Sequence, residues 1–200
     1  MKGIKIMIIK NFETYNGSIL QDRFAYSFFK DKVLRTGNII AGISPAQVEA
    51  DYMIDKEDLI SKDYIYSEKM IHFLIEIPDV SLFAGVCFQR LYCNMIGNIL
   101  ARYVKSSVEI DGDDIFVIKE HNQGGVIQQK GKASVSIAKH CNDAVLIHIG
   151  INVKAGKRAP AFAFSTNLTD QESEAFMREC ISAFYEMIHD VFIATTKILK

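Results

Sequence analysis

Several features are scarce or missing in this sequence, and each absence excludes a class of protein. Among 200 residues there is no Trp, only three Pro and no large excess of either charge, since the formal net charge is -1. A nucleic-acid-binding domain usually carries a strongly basic surface, so no nucleic-acid partner is predicted. No apolar segment reaches the roughly 18–20 residues of a membrane span, and lysines interrupt the first ten residues, so neither a membrane partner nor a signal peptide is predicted.

The four cysteines do not form a recognisable motif. They are Cys87, Cys93, Cys141 and Cys180, and no pair has the CxxC spacing of zinc ribbons or thioredoxin-like proteins. The histidines also lack the spacing of a zinc motif, so no tightly bound metal is expected. Reduced, packed thiols are typical of a cytoplasmic protein, and we therefore expect a cytoplasmic location.

The composition favours a globular chain. Hydrophobic residues make up 49% and charged residues 24%, close to the average for soluble domains. No repeat, low-complexity segment or linker divides the chain, so we predict a single domain over residues 1–200.

Periodicity predicts an alternation of strands and helices. The expected strands cover residues 3–10, 37–43, 69–77, 114–119, 132–139 and 143–153. The expected helices are a short one capped by Asp22, a largely buried one over 80–104, and a terminal one that begins at the capping box of Thr169. Residues 122–131, rich in Gly and Gln, are expected to form a connection. The predicted hairpins favour an α+β fold, in which a mixed, mostly antiparallel sheet packs its helices on one face.

Two adjacent strands have one apolar face and one face of small or polar residues. We expect Val135, Ile137, Ile147 and Ile149 to pack on the helices. The opposite face would carry Ser134, Ser136, His148, Gly150 and Asn152, with His72 and Glu76 on the neighbouring strand. Small residues leave space above a sheet, which favours a ligand cavity, although an ordinary half-exposed sheet gives the same alternation.

Three segments resemble the core of biotin and lipoate protein ligases. They are Gly112-Asp113-Asp114-Ile115, Gly131-Lys132-Ala133-Ser134 with the strand that follows, and His148-Ile149-Gly150-Ile151-Asn152-Val153. The resemblance implies that Lys132 contacts the substrate carboxylate and then the acyl phosphate. It further implies that Asp113 and Asp114 organise a nucleotide or magnesium, and that ATP and magnesium take part. Gly131, Ser134, Ser136, His148, Gly150, Asn152 and Glu76 are then expected to line the substrate and nucleotide site.

The whole chain also resembles the family known as domain of unknown function 366. The shared segments are Tyr15-Asn16-Gly17, Met53-Ile54-Asp55-Lys56-Glu57-Asp58, His72-Phe73-Leu74-Ile75-Glu76, Gln89-Arg90-Leu91, Gly112-Asp113-Asp114 and Ile147-His148-Ile149-Gly150. On this basis we expect a biotin/lipoate ligase-like fold.

Three functional hypotheses remain open. The first is a ligase or acyltransferase that acts on a small carboxylate, with Lys132, Asp114 and His72 as catalytic residues and a carrier protein as a further partner. The second is a non-catalytic binding module on the same fold, because the Gly-Arg-Gly-Arg loop of biotin ligases is missing from the sequence. The third is an interaction protein whose apolar helix faces join subunits in a homo-oligomer. Convergence of the predicted residues on one pocket would favour the enzyme.

Overall fold

The structure is a computed structural model that describes residues 4–9, 12–21, 24–30, 37–61, 63–122 and 126–198. The described strands are β1 (Lys5–Ile9), β2 (Asn38–Val48), β3 (Ile65–Pro78), β4 (Ser107–Asp111), β5 (Asp114–Asn122), β6 (Val126–Lys132), β7 (Ser134–Cys141) and β8 (Ala144–Lys154). The described helices are α1 (Phe24–Phe29), α2 (Lys56–Ser61), α3 (Leu82–Val104) and α4 (Asp170–Thr196). The predicted cap Asp22 lies outside the described residues.

The strands form two sheets. The larger has the order β1-β2-β3-β8-β7, in which β1 and β2 are parallel and the other pairs are antiparallel. The smaller has the order β4-β5-β6 and is antiparallel. Helices α3 and α4 pack against one face of the larger sheet, and the segments around α1 and Tyr15 cover much of the other. The predicted α+β class, with a mixed and mostly antiparallel sheet, is confirmed.

Helix α3 packs against both sheets. Its N-cap Ser81 accepts a hydrogen bond from the backbone N–H of Ala84. A Cβ atom on Gly85 would overlap with Val145 of β8, and a Cβ atom on Gly97 would lie 2.8 Å from Ile110 of β4. The two glycines therefore allow a close approach to one strand of each sheet, which places the middle of α3 beside the junction between the sheets.

The predicted burial of α3 is only partly correct. One side, which includes Tyr92, Cys93 and Ile96, is buried in the main core. Phe83, Cys87 and Leu91 are exposed in addition to the polar residues Asn94 and Asn98. The apolar residues cover more of the helix than the core does, so hydrophobicity alone overestimates the buried surface.

The predicted connection over residues 122–131 is wrong where the structure describes it, because Asn122 ends β5 and residues 126–131 belong to β6, whereas residues 123–125 lie outside the described residues. Residues from Val126 onwards form β6, which pairs with β5 at the edge of the small sheet. Ala133 separates β6 from β7, and its backbone bonds link β5 of one sheet to β8 of the other. Lys132 therefore ends a strand of the small sheet instead of opening a strand of the large one. A strand at a sheet edge need not show apolar alternation, which explains the wrong prediction.

The predicted grouping of faces is also wrong. In the antiparallel pair β7–β8, Ser136 is opposite Ile149, and Val135 is opposite Gly150. Opposite residues share a face, so Ser134 and Ser136 lie on the helix side, whereas Val135 and Ile137 lie with Gly150 and His148. Alternation divides each strand into two faces, but only the register decides which faces of two strands coincide.

Candidate functional site

A cavity of about 670 Å³ lies along the outer edge of β7, beside the junction of the two sheets. It is bounded by β7, by the β4–β5 turn, by α2 with its flanking residues, and by the loop around Phe162. Of the predicted site residues, the structure brings six to its lining, namely Asp113, Asp114, Lys132, Ser134, Ser136 and Asn152. We call this space the acidic cavity, because six of its described lining residues are acidic and three are basic.

Lys132 and Asp114 form an ion pair in the acidic cavity. Nζ of Lys132 lies 2.7 Å from Oδ1 of Asp114, and both side chains are partly exposed, at 27% and 31%. The backbone of Lys132 is fixed on both sides, since its N–H donates to the carbonyl of Phe162 and its carbonyl accepts from the N–H of Phe164, each at 2.8 Å. A Cβ atom at Gly131 would lie 2.9 Å from the ring of Phe164. Gly131 therefore allows the Phe164 ring to pack close to the strand beside Lys132. The backbone hydrogen bonds fix the position from which the Lys132 side chain extends.

Asp113 occupies the β4–β5 turn and is held by α3. Its Oδ1 lies 3.0 Å from the Arg90 guanidinium, and its Oδ2 accepts a hydrogen bond from Nε2 of Gln89 at 3.0 Å. Burial raises the pKa of the Asp113 carboxyl, while the charge of Arg90 lowers it. Asp113 is thus a positioned carboxylate at the wall of the cavity.

The two serines of β7 hold this wall together. The Oγ of Ser136 accepts from Nε2 of Gln89 at 2.6 Å, and the Oγ of Ser134 accepts from the backbone N–H of Ile115 at 2.8 Å. Gln89 is buried, and no sequence pattern assigns it a role beyond its place in the Gln89-Arg90-Leu91 segment. Only the packing of α3 between the sheets shows that Gln89 links Asp113 to β7.

Acidic residues at α2 form the opposite wall. Asp55 accepts hydrogen bonds from the backbone N–H groups of Glu57 and Asp58, and so caps the start of α2. Burial, followed by the charge of Asp55, raises the pKa of the Asp58 carboxyl, whereas Lys132 lowers it. Sequence reasoning did not select these residues as site residues, although they belong to the family segment Met53 to Asp58.

His72 and His148 lie beneath this region, in a buried group with Tyr15 and Ser44 that we call the histidine network. Nδ1 of His72 lies 3.0 Å from Nε2 of His148, and Nε2 of His72 lies 3.1 Å from the Ser44 hydroxyl. The Tyr15 ring stacks on His148 with 3.8 Å between ring centroids. The Ser44 hydroxyl also lies 2.9 Å from the Pro45 carbonyl and donates to it. In a consistent set of hydrogen bonds, His72 then donates to Ser44 through Nε2 and accepts from His148 through Nδ1.

Both histidines are held neutral by burial. The pKa of His72 is lowered to about 4, mainly by desolvation. Desolvation, followed by the neighbouring His72, also holds the pKa of His148 well below its ordinary value. The structure brings the two histidines together, as expected, but His72 does not line the acidic cavity. His148 lines a second, smaller space of about 40 Å³, which shares Val135, Ser136 and Asp58 with the acidic cavity.

Glu76 and Gly150 are placed away from the acidic cavity. Glu76 is only 3% exposed, and its carboxylate accepts from the backbone N–H of Ala25 at 3.4 Å. At Gly150, a Cβ atom would overlap with Sδ of Met70 and lie 3.0 Å from Cγ2 of Val135. The space above Gly150 is therefore filled by protein side chains, so this glycine serves packing and does not open the sheet to a ligand.

Two further features concern metals and membranes. Within the described ranges, no three His, Cys, Asp or Glu side chains are arranged to hold a metal ion. None of the described helices combines the length and the hydropathy that a membrane span requires.

Comparison with solved structures shows a shared fold. A protein of unknown function from Pyrococcus horikoshi is 25% identical, with 99% of each chain covered and a TM-score of 0.84. A bipartite lipoate protein ligase from Thermoplasma acidophilum, described with its E2 lipoyl domain, is 8% identical, with 92% of this chain and 84% of that chain covered and a TM-score of 0.56. A lipoate-protein ligase A bound with ATP is 10% identical, with 93% of this chain and 86% of that chain covered and a TM-score of 0.56. The expected ligase-like fold is thereby confirmed.

The family assignment comes from the sequence comparison. No curated protein matches the chain. A family model described as domain of unknown function (DUF366) matches residues 4–199. The chain therefore belongs to the DUF366 family.

Proposed function

We propose that this protein is a ligase or acyltransferase that activates a small carboxylate in the acidic cavity. The observation that carries the proposal is Lys132, whose ammonium group is fixed at the cavity wall beside Asp114, in a chain with the lipoate ligase fold. A fixed cation stabilises negative charge that develops in a transition state, and does so best where water is partly excluded.

The proposed reaction is adenylation of the carboxylate. A carboxylate oxygen attacks the α-phosphorus of ATP, an acyl-phosphate bond forms, and the bond to the β-phosphate breaks to release pyrophosphate. Lys132 would contact first the carboxylate and then the acyl phosphate. In a second step, an amine or hydroxyl of an acceptor would attack the acyl carbon and release AMP. A carrier protein is a suitable acceptor, since one structural neighbour is described together with its E2 lipoyl domain.

Magnesium fits the wall formed by the β4–β5 turn. Asp113 and Asp114 are neighbours in sequence and both line the cavity there, and hard oxygen ligands suit this ion, which keeps several waters and binds phosphates. When bound, magnesium would neutralise phosphate charge that the few basic side chains of the cavity leave uncompensated. Arg90 would contribute to this site by holding the Asp113 carboxylate in place.

One observation favours the alternative of a non-catalytic binding module. The side chains of Arg90 and Lys132 are each paired with an aspartate, so little free positive charge faces a triphosphate. A module that binds a small molecule would not need that charge.

The test is ATP–pyrophosphate exchange by the purified protein, supplied with magnesium and a panel of lipoate-, biotin- and octanoate-like acids. The proposal predicts exchange with at least one acid, together with thermal stabilisation by that acid and ATP. Stabilisation by an acid without exchange or acyl transfer would identify a binding module. If no acid produces either signal, the ligase proposal is wrong.

A further inference from the structure

The hydroxyl group of Ser136 lies where α3 meets the wall of the acidic cavity. Ser136 is partly exposed and lines both the acidic cavity and the smaller space beside His148. Its Oγ lies 2.6 Å from Nε2 of Gln89, and the same nitrogen lies 3.0 Å from Oδ2 of Asp113. Gln89 is only 2% exposed and does not line the cavity, whereas both of its partners do. The hydroxyl and the carboxylate are therefore neighbours on the cavity side of a buried amide.

The surroundings of Gln89 fix the orientation of its side-chain amide. A guanidinium group can only donate, and Nη1 of Arg90 donates to Oε1 of Gln89. The two protons on Nε2 are then directed to Asp113 and to Ser136, so the amide has a partner for its oxygen and for each of its protons. Ser136 must accept the hydrogen bond from Gln89, and its own hydroxyl proton is not used there.

The hydroxyl proton of Ser136 has no strong acceptor within the described part of the chain. Apart from Gln89, only the Sγ of Cys93 lies within hydrogen-bonding distance of the Ser136 oxygen among these residues, at 3.9 Å. Burial raises the pKa of the Cys93 thiol to about 12, so the sulfur keeps its proton and is a weak acceptor. The Ser136 hydroxyl is therefore available as a donor to a molecule in the cavity.

This hydroxyl is connected to the same turn as the ammonium group of Lys132. Lys132 pairs with Asp114, and Ser136 is linked through Gln89 to Asp113, the preceding residue. We propose that the Ser136 hydroxyl donates a hydrogen bond to the acid group that Lys132 binds, and that Gln89 is the positioning residue that directs this hydroxyl. The inference rests on the proposed function and adds a neutral donor to it.

The arrangement suits a donor and does not suit a nucleophile. As a donor, Ser136 would stabilise negative charge on the carboxylate and then on the acyl phosphate, and it would keep its proton throughout. A nucleophilic serine needs a base that takes the hydroxyl proton. Gln89 donates to this oxygen and the Cys93 thiol is protonated, so neither of them can act as that base.

The test compares Ser136→Ala with Ser136→Thr, which keeps a hydroxyl group. For each acid that binds to the wild type, titration calorimetry should show about tenfold lower affinity in Ser136→Ala, as expected for the loss of one hydrogen bond to a charged group. Pyrophosphate exchange should fall by at least the same factor. Ser136→Thr should retain most of both. Ser107→Ala is the matched control, because Ser107 is an exposed serine of β4 outside the cavity lining.

Gln89→Met tests the positioning role, since methionine has a similar length and no N–H group to donate. Acid affinity should fall about as far as in Ser136→Ala, because the hydroxyl is free to rotate and can donate elsewhere. Adding Ser136→Ala to Gln89→Met should then cost little more, whereas two independent roles would give additive losses. Asn94→Met is the control, because Asn94 is an exposed amide of the same helix, and its acid affinity should match the wild type.

Two outcomes would overturn the role of Ser136: wild-type acid affinity in Ser136→Ala, or equal losses in Ser136→Ala and Ser136→Thr when urea unfolding shows both to be folded. Additive losses in the double variant would refute positioning by Gln89. Failure here is separable from failure of the proposed function. Exchange at the wild-type rate in Ser136→Ala would refute only the inference, whereas acid binding that depends on the hydroxyl, without exchange or acyl transfer, would refute only the ligase. If no acid binds to the wild type, both are wrong.

Discussion

The acidic cavity and the histidine network both contain polar residues of neighbouring strands, but these residues differ in charge and in exposure to solvent. In the cavity, Lys132 and Asp114 form a salt bridge and are partly exposed. In the histidine network, His72 and His148 are fully buried, and desolvation keeps both neutral. A partly exposed charged group can bind a ligand with a small loss of hydration free energy. A buried neutral ring mainly provides hydrogen bonds to the polar groups around it. This difference supports our proposal that the cavity is the site of the chemistry, and it predicts that the histidine network stabilises the fold.

The largest expected effect comes from removing a histidine of the histidine network, which tests its structural role. His72→Ala should lower the free energy of unfolding by about 3–5 kcal/mol, because it leaves a cavity and deprives His148 and Ser44 of a partner. Urea unfolding measures the change. His140→Ala, at an exposed position beside the β7–β8 turn, should change it by less than about 0.5 kcal/mol. Equal effects of the two variants would refute a structural role for the network.

Acid should weaken the fold through the same network. The pKa of His72 is lowered from 6.5 to about 4 in the folded protein, so the unfolded chain takes up the proton first. The stability linked to neutral His72 is fully present above about pH 6.5. As the pH falls from there towards about 4, the free energy of unfolding should decrease by about 3 kcal/mol. The carboxyls of Asp58 and Asp113 have raised pKa values and act in the opposite direction, since their protonation at lower pH favours the folded state.

Urea unfolding at a series of pH values checks this prediction. In His72→Leu, the free energy of unfolding should decrease less than in the wild type as the pH falls from about 6.5 to about 4, because the variant lacks the His72 imidazole. An identical pH dependence in the wild type and in His72→Leu would show that His72 takes up its proton as readily in the folded protein as in the unfolded chain.

A smaller effect is expected at Gly150. Gly150→Ala should cost about 1–3 kcal/mol, because the added Cβ overlaps with Met70 and contacts Val135. In the double variant with Met70→Ala, the loss should be smaller than the sum of the two single losses, as expected for residues in contact. Calorimetric unfolding of the single and double variants measures the coupling. Additive losses would show that Met70 does not fill the space above Gly150.

Much of the fold was predictable because its signals are local. Alternation located the strands around His72 and Ile149, and the capping box at Thr169 fixed the start of α4. The wrong predictions concern relations between strands. The periodicity of β7 could not show that Val135 shares a face with Gly150, since the register of the pair with β8 decides it. Similarly, β6 has no apolar stripe to reveal it.

The candidate site was predictable where neighbours in sequence carry it, as at Asp113, Asp114 and Lys132. It was not predictable where distant segments meet. Gln89 reaches Asp113 only because α3 packs between the two sheets. Asp58 of α2 and Lys132 of β6 line the same cavity, although they are far apart in sequence. His72 looked available to a ligand because alternation places it opposite the apolar face, but alternation does not reveal that Tyr15 and its neighbours cover that face.

The central claim is that the chemistry belongs to the acidic cavity, and Lys132→Ala tests it most directly. Pyrophosphate exchange and the free energy of unfolding should be measured on the same preparation, beside the control Lys130→Ala. Lys130 is also a β6 lysine with an acidic partner, Glu109, but it lies outside the cavity lining. The account predicts a rate loss of about 100- to 1000-fold for Lys132→Ala, worth about 3–4 kcal/mol of transition-state stabilisation, with little change in stability. It predicts near wild-type exchange for Lys130→Ala. Equal exchange in the two variants, or unfolding of Lys132→Ala, would contradict it.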